Sequence, residues 1–163
     1  MTSTMHPIET FTPVRAANQR NVLSLTLPPL RLLRVAFVGV GARGRQAVMR
    51  WCHIPGVEIV AVCDSVKSTA EEVSRQVAQL GKPRPAVFSG ESAYIELCQL
   101  PAVNLIYVCT DWLSHAPIAV HAMQNRKNVA VEVPAALSLK DIWQLIDTAE
   151  RTQQHCMMLE NTV

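Results

Sequence analysis

Glycine is scarce in this 163-residue chain: six in all, three of them between Gly39 and Gly44. Aromatic residues make up only 5%, which argues against a platform on which single-stranded nucleic acid stacks. Charged residues are 17%, where about 25% is usual in a globular domain. With 49% hydrophobic residues, this excludes a disordered chain and calls for a large buried core. Lys+Arg 15 nearly cancel Asp+Glu 13, so net charge points to neither nucleic acid nor a membrane surface as a partner. No uninterrupted apolar run approaches the ~20 residues that span a bilayer.

Paired cysteines are also missing. Cys52, Cys63, Cys98, Cys109 and Cys156 are odd in number, include no CxxC and sit mostly in apolar runs. A disulfide scaffold or zinc site needs paired or closely spaced ligands. The five therefore read as small buried hydrophobes in a reducing compartment, the cytoplasm, with no metal site.

Residues 1–32 differ from the rest. They carry Pro7, Pro13, Pro28 and Pro29 and no sustained period. Residues 1–50 hold seven Arg and one acid, Glu9. A basic arm suggests nucleic acid or an organelle-targeting peptide. The prolines break any amphipathic helix, however, and the arginines are dispersed. The segment reads as an extended N-terminal arm packed on its own domain or a partner's.

From Leu33 onward strands and helices alternate. Leu33–Val38 is a strand that runs into the glycines, and Arg43 to Trp51 is the helix after it. Val57–Cys63 is β-branched and nearly all apolar, as a strand buried on both faces requires. Ala70, Val73, Val77 and Leu80 mark an amphipathic helix. Short elements follow at 86–88 and 92–100, then a strand at 103–109 and a helix from about Ala116 to Gln124. Asn128–Val133 is a fifth strand. Ser138 to Asp141 resembles a capping box opening a helix with Ile142, Leu145, Ile146 and Ala149 inward. Cys156–Leu159 is a sixth strand. This alternation predicts an α/β, doubly wound parallel sheet of the Rossmann type over 33–163.

Gly39-Val40-Gly41-Ala42-Arg43-Gly44 is a GxGxxG between a buried strand and a helix. In that setting the first glycine permits a tight turn, the second admits a pyrophosphate, and the third lets helix and strand pack closely. Helix N-terminal amides then face the phosphates, and Arg43 and Arg45 would add positive charge. Asp64 ends the second strand, where an acid accepts hydrogen bonds from the adenosine ribose. Its charge repels a 2′-phosphate, so NAD is expected over NADP, although Lys67 leaves some room for the latter.

Ligands of such sheets sit outside the carboxyl ends of the strands. Those ends carry Thr110-Asp111-Trp112-Leu113-Ser114-His115, then Glu132-Val133-Pro134-Ala135-Ala136, then Glu160-Asn161. On these pieces the chain from about Leu33 resembles the N-terminal domain of the Gfo/Idh/MocA oxidoreductases. Those proteins typically carry Glu-Lys-Pro after strand five, whose lysine assists proton transfer. Here Glu132-Val133-Pro134 stands instead, which counts against an ordinary sugar or polyol dehydrogenase. The same pieces, with Gly41-Ala42-Arg43-Gly44, Met158-Leu159-Glu160-Asn161 and the arm segments Pro13–Arg15 and Gln19–Leu23, resemble the NAD-dependent glycosidases of glycoside hydrolase family 109.

The resemblance implies NAD contacts at Ala42, Arg43, Asp64, Trp112, Leu113, Ser114, His115, Glu132, Val133 and Asn161, beside Gly39, Gly41, Gly44 and Thr110. It also implies a mechanism in which NAD is no net reactant. A hydride leaves a sugar ring carbon, the aglycone is eliminated from the resulting ketone, water adds, and the hydride returns. The family's substrate domain and catalytic tyrosine lie C-terminal to this module, and neither Tyr94 nor Tyr107 matches that tyrosine. Catalytic residues are therefore unassigned. Three readings stand: the cofactor half of such a glycosidase, of an NAD(P)-dependent dehydrogenase, or a non-catalytic dinucleotide-binding module. An uncovered apolar face near strand six, with the arm at an interface, predicts a homo-oligomer.

Overall fold

The computed structural model describes residues 14–17 and 19–160. Six parallel strands form one sheet in the order β3-β2-β1-β4-β5-β6. They are β1 Leu33–Val38, β2 Val57–Asp64, β3 Ala86–Ser89, β4 Leu105–Val108, β5 Asn128–Glu132 and β6 Cys156–Leu159. The helices between them are α1 Ala42–Trp51, α2 Lys67–Gln79, α3 Ala93–Cys98, α4 Trp112–Gln124 and α5 Leu139–Thr152. The expected α/β Rossmann-type sheet is the observed one.

Side chains alternate along each strand, so β1 feeds two cores. Val35 and Phe37 pack with Val48, Val62, Val73 and Tyr107 on the side of α1 and α2. Ala36 and Val38 pack with Ile106, Val129, Ala119, Met123 and Leu145 on the side of α3, α4 and α5. Both faces of the sheet are thereby dry, which explains why β1, β2 and β4 lack a polar alternation.

Two expectations about helices change. The fourth helix begins at Trp112, four residues before Ala116, because Asp111 caps it. One Asp111 oxygen accepts the N–H groups of Leu113 and Ser114, and the other accepts the Ser114 hydroxyl. Pro117 thus falls inside the helix instead of opening it. In α5 the Ser138 cap is present, accepting the Asp141 N–H at 3.1 Å. Leu145 and Ala149 are buried as expected, whereas Ile142 is exposed.

The described part of the arm lies on its own domain. Glu150 of α5 is the anchor, its side chain only 1% exposed. It accepts from Arg15 Nε at 2.7 Å, Gln19 Nε2 at 2.9 Å and the Val22 N–H at 3.2 Å. Val22–Ser24 then forms a single 3₁₀ turn, capped by Asn21. The Arg15 hydrogen bond outweighs burial and, with those from Val22 and Gln19, holds the Glu150 carboxyl below its ordinary value.

The glycines of the turn after β1 differ in what surrounds them. Gly39 has φ +84°, and a Cβ there would strike the Cys109 carbonyl. A Cβ on Gly44 would strike the Gly39 carbonyl. A Cβ on Gly41 would meet nothing within 4 Å.

Two measurements follow from these contacts. Gly44→Ala lowers urea stability by about 1–3 kcal/mol, whereas Gly41→Ala changes it by less than about 0.5 kcal/mol; equal losses would contradict the packing. A carboxyl pKa lowered on folding stabilises the attached arm above the ordinary value of about 4.3, and that contribution vanishes as pH falls through the folded value. Protection of the Val22 amide from hydrogen exchange therefore drops in Glu150→Gln at neutral pH, and in the parent chain on acidification. Unchanged protection in Glu150→Gln would mean that the arm is held elsewhere.

Candidate dinucleotide site

Strand order reverses between β1 and β4, so the loops after these strands part and leave a crevice at the carboxyl edge. The cleft found there has a volume of about 640 Å³, within the range of about 300–1,000 Å³ usual for ligand pockets. Gly39 and Gly41 line one wall, Asp64 and Ser65 the next, and Thr110, Asp111, Leu113 and Ser114 the opposite one. Gly90, Glu91 and Tyr94 close the end beyond β3. Sequence reasoning missed this last group. Its signal was Ser89-Gly90 directly after a strand, since Gly90 has φ +118° and donates its N–H to the Asp64 carbonyl at 3.1 Å.

Three features fit a dinucleotide. The space a Gly41 side chain would fill is open and faces the cleft. Gly41 is the residue before α1 and brings no side-chain cap, so the first-turn N–H groups of α1 are free of side-chain acceptors and point toward an anion. Asp64 accepts the Val40 N–H on one oxygen at 2.9 Å and the Val66 N–H on the other at 3.0 Å. A carboxylate offers about four acceptor positions, so Asp64 is oriented by the turn and still has capacity for two hydroxyl donors.

The charge of the turn is not as expected. Arg43 is bound to Glu132, Nε at 3.2 Å and Nη2 at 3.1 Å. Arg45 is bound to Glu72 at 2.8 and 3.1 Å. Both arginines are neutralised by a carboxylate, which leaves backbone amides as the principal anion donors of the turn.

Of the expected contacts, Gly39, Gly41, Asp64, Thr110, Leu113 and Ser114 line the cleft. Ala42, Arg43, Gly44, Trp112, His115, Glu132 and Val133 lie around it without being part of that lining. Trp112 is 61% exposed in the first turn of α4. His115 is buried, with its ring nitrogens 2.9 Å from the Pro134 carbonyl and 3.2 Å from the Thr110 carbonyl. Asn161 lies outside the described residues.

Glu132 ends β5 as a buried carboxylate. Besides Arg43 it accepts the Tyr107 hydroxyl at 2.6 Å. Burial pushes its carboxyl up, but hydrogen bonds from Arg43 and Tyr107 more than offset that, so it titrates below the ordinary glutamate range. Burial and the Glu132 bond raise the Tyr107 phenol. Burial also pushes Cys63 up to about 12 and Cys109 up to about 11. Both cysteines border the cleft as neutral thiols, not as nucleophiles. Among the described residues no three His, Cys, Asp or Glu stand together as metal ligands, and no helix is long and apolar enough to cross a membrane.

Known proteins align with this arrangement. A family 109 glycosyl hydrolase of Bacteroides thetaiotaomicron is 46% identical over 158 residues, covering 96% of this chain and 34% of that protein. One from Phocaeicola vulgatus is 47% identical over 158 residues, with the same coverage. The chain thus spans about a third of the length of the curated relatives it matches. Among solved structures, a myo-inositol 2-dehydrogenase of Lactobacillus plantarum shares the fold with TM-score 0.69 at 18% identity, over 78% of this chain and 36% of that one. GenD2 of gentamicin A biosynthesis, solved with NAD, does so with TM-score 0.69 at 21% identity, over 91% and 37%. Residues 33–160 match the oxidoreductase family with an NAD-binding Rossmann fold, Gfo/Idh/MocA, and the chain belongs to that family.

Proposed function

We propose that this chain is the NAD(H)-binding part of a glycosidase that acts by transient oxidation of its sugar. The observation that carries the NAD reading is the pairing of open space at Gly41 with an oriented Asp64 carboxylate across one cleft. First-turn amides of α1 would hold the pyrophosphate, and Asp64 the adenosine ribose hydroxyls. When bound, the nicotinamide would supply hydride acceptance and return at a sugar ring carbon. Val133, at the position of the dehydrogenases' lysine, has no proton to move, which favours the glycosidase over a polyol dehydrogenase. The 46% identity to a family 109 glycosyl hydrolase supports the same choice. A glycoside would then be bound with residues outside this chain.

A cytoplasmic setting accords with five free thiols, three buried and two half-buried. Self-association belongs to the same reading. Met157 and Met158 of the edge strand are 58% and 49% exposed. An apolar hollow of about 510 Å³, lined by Met158, lies between Val22, Leu25, Pro134–Ala136 and α5. The arm rests on its own α5, so the surface left for a partner is the β6 edge.

Calorimetry on the intact chain checks the cofactor: NADH binds more tightly than NADPH, and Asp64→Ala narrows the gap by about tenfold, the scale of a lost hydrogen bond to a charged group. Equal or tighter NADPH binding by the parent chain would overturn the assignment. Light scattering at micromolar concentration checks association, with a dimer or larger species expected and a monodisperse monomer ruling it out.

A further inference from the structure

Arg43 sits in the first turn of α1, directly after β1, while its partner Glu132 ends β5. β4 lies between these strands. The Arg43–Glu132 pair therefore ties the first turn of α1, and with it the glycine turn, to the end of β5. It ends in two parallel hydrogen bonds to one carboxylate, a geometry that fixes direction as well as distance.

The crossed strand supplies the third member. Tyr107 of β4 donates to the same Glu132 oxygen that accepts Arg43 Nε. Its ring is itself held, stacked on Phe37 with centroids 4.7 Å apart and edge-on to Trp51 at 5.4 Å. Trp51 also meets Phe37 edge-on at 5.8 Å. Phe37 belongs to β1 and Trp51 is the last residue of α1. Thus α1 and β4 both bind one buried carboxylate at the end of β5, and β1 supports the Tyr107 ring.

We propose that Tyr107 and Glu132 are positioning residues which, through Arg43, set the gap between the glycine turn and the end of β5. The inference rests on the NAD reading, because that gap is where the cofactor's nicotinamide half would pass. It differs from a direct contact in one respect: the Glu132 carboxylate acts through Arg43 and not on the cofactor. Neither the Glu132 side chain nor Tyr107 lines the cleft. Both are nevertheless required for its shape.

The test uses the 163-residue chain with Tyr107→Phe, Glu132→Gln, Arg43→Met and the double variant Arg43→Met/Glu132→Gln. NADH affinity and amide exchange over residues 39–45 of the cofactor-free chain are read together. Tyr107→Phe keeps the ring cluster and removes only the hydroxyl, so it preserves the fold even where Glu132→Gln does not. The expected result is about a tenfold loss of affinity in each single variant, the scale of a hydrogen bond to a charged group, with the double variant no weaker than Arg43→Met. Faster exchange over 39–45 accompanies it. Loss confined to Arg43→Met, with Tyr107→Phe and Glu132→Gln binding as the parent does, would make Arg43 a direct contact and overturn the proposal. Additive losses in the double variant would overturn it as well. If the parent chain binds no NADH, the functional reading fails, and exchange alone decides: faster in Tyr107→Phe supports the network, unchanged refutes it.

Discussion

The crevice depends on the absence of two β-carbons. Gly39 turns the chain back under the Cys109 carbonyl, and Gly44 lies against the Gly39 carbonyl. These contacts let α1 start immediately beside the ends of β1 and β4, where the sheet order reverses. Any larger residue at either position pushes the helix off the sheet and moves its N-terminus away from the carboxyl edge. The Gly39 N–H donates to the Cys63 carbonyl at 2.8 Å, so β2 and its terminal Asp64 are registered on the same turn. Asp64 closes the loop by accepting the Val40 N–H. Turn, helix start and acid are one assembly. The start of α1 and the Asp64 carboxylate, the groups proposed to meet a dinucleotide, are therefore held to one turn by the chain's own hydrogen bonds.

A second set of ties gathers at the end of β5. The Glu132 side chain binds toward α1 and β4, and the Pro134 carbonyl faces His115 of α4. His115 also stands by the Thr110 carbonyl on the cleft wall. Buried polar groups of this kind are costly when unpaired, so each fixes its partners' positions. Charge that looked available for a ligand is consumed internally: Arg43 and Arg45 hold carboxylates. In the proposed reading, recognition of an anion would then fall to backbone amides, whose direction is set by the fold and not by flexible side chains.

On the opposite flank Glu150 performs the same kind of work for the arm. A carboxylate buried among helix residues accepts from three groups of a segment more than a hundred residues distant in sequence. The arm is thereby part of the α5 surface and forms one side of the apolar hollow that reaches Pro134. The loop after β5 lines this hollow, and its Pro134 carbonyl meets His115, whose ring also stands by Thr110 on the wall of the other cleft.

The amino-acid sequence determined the sheet, the glycine turn and the acid at β2, because these rest on local periods and on residue types with few alternatives. Buried parallel strands need apolar runs, a left-handed turn needs Gly39, and an acid at a strand's end is visible in order and spacing. Val133 was readable directly too, as the residue standing where the resemblance led one to expect a lysine. Tertiary structure alone decided which polar residues face the cleft and which support it. Glu132, His115 and Arg43 sit at the expected edge, but their partners Tyr107, Pro134 and Thr110 come from other elements, and no period links them. The start of α4 was a local matter, since Asp111 accepts from Leu113 and Ser114, two and three residues on, as an N-cap does. The anchoring of the arm was hidden for the tertiary reason: Glu150 reveals its role only when donors from a segment more than a hundred residues away are brought within about 3 Å by folding.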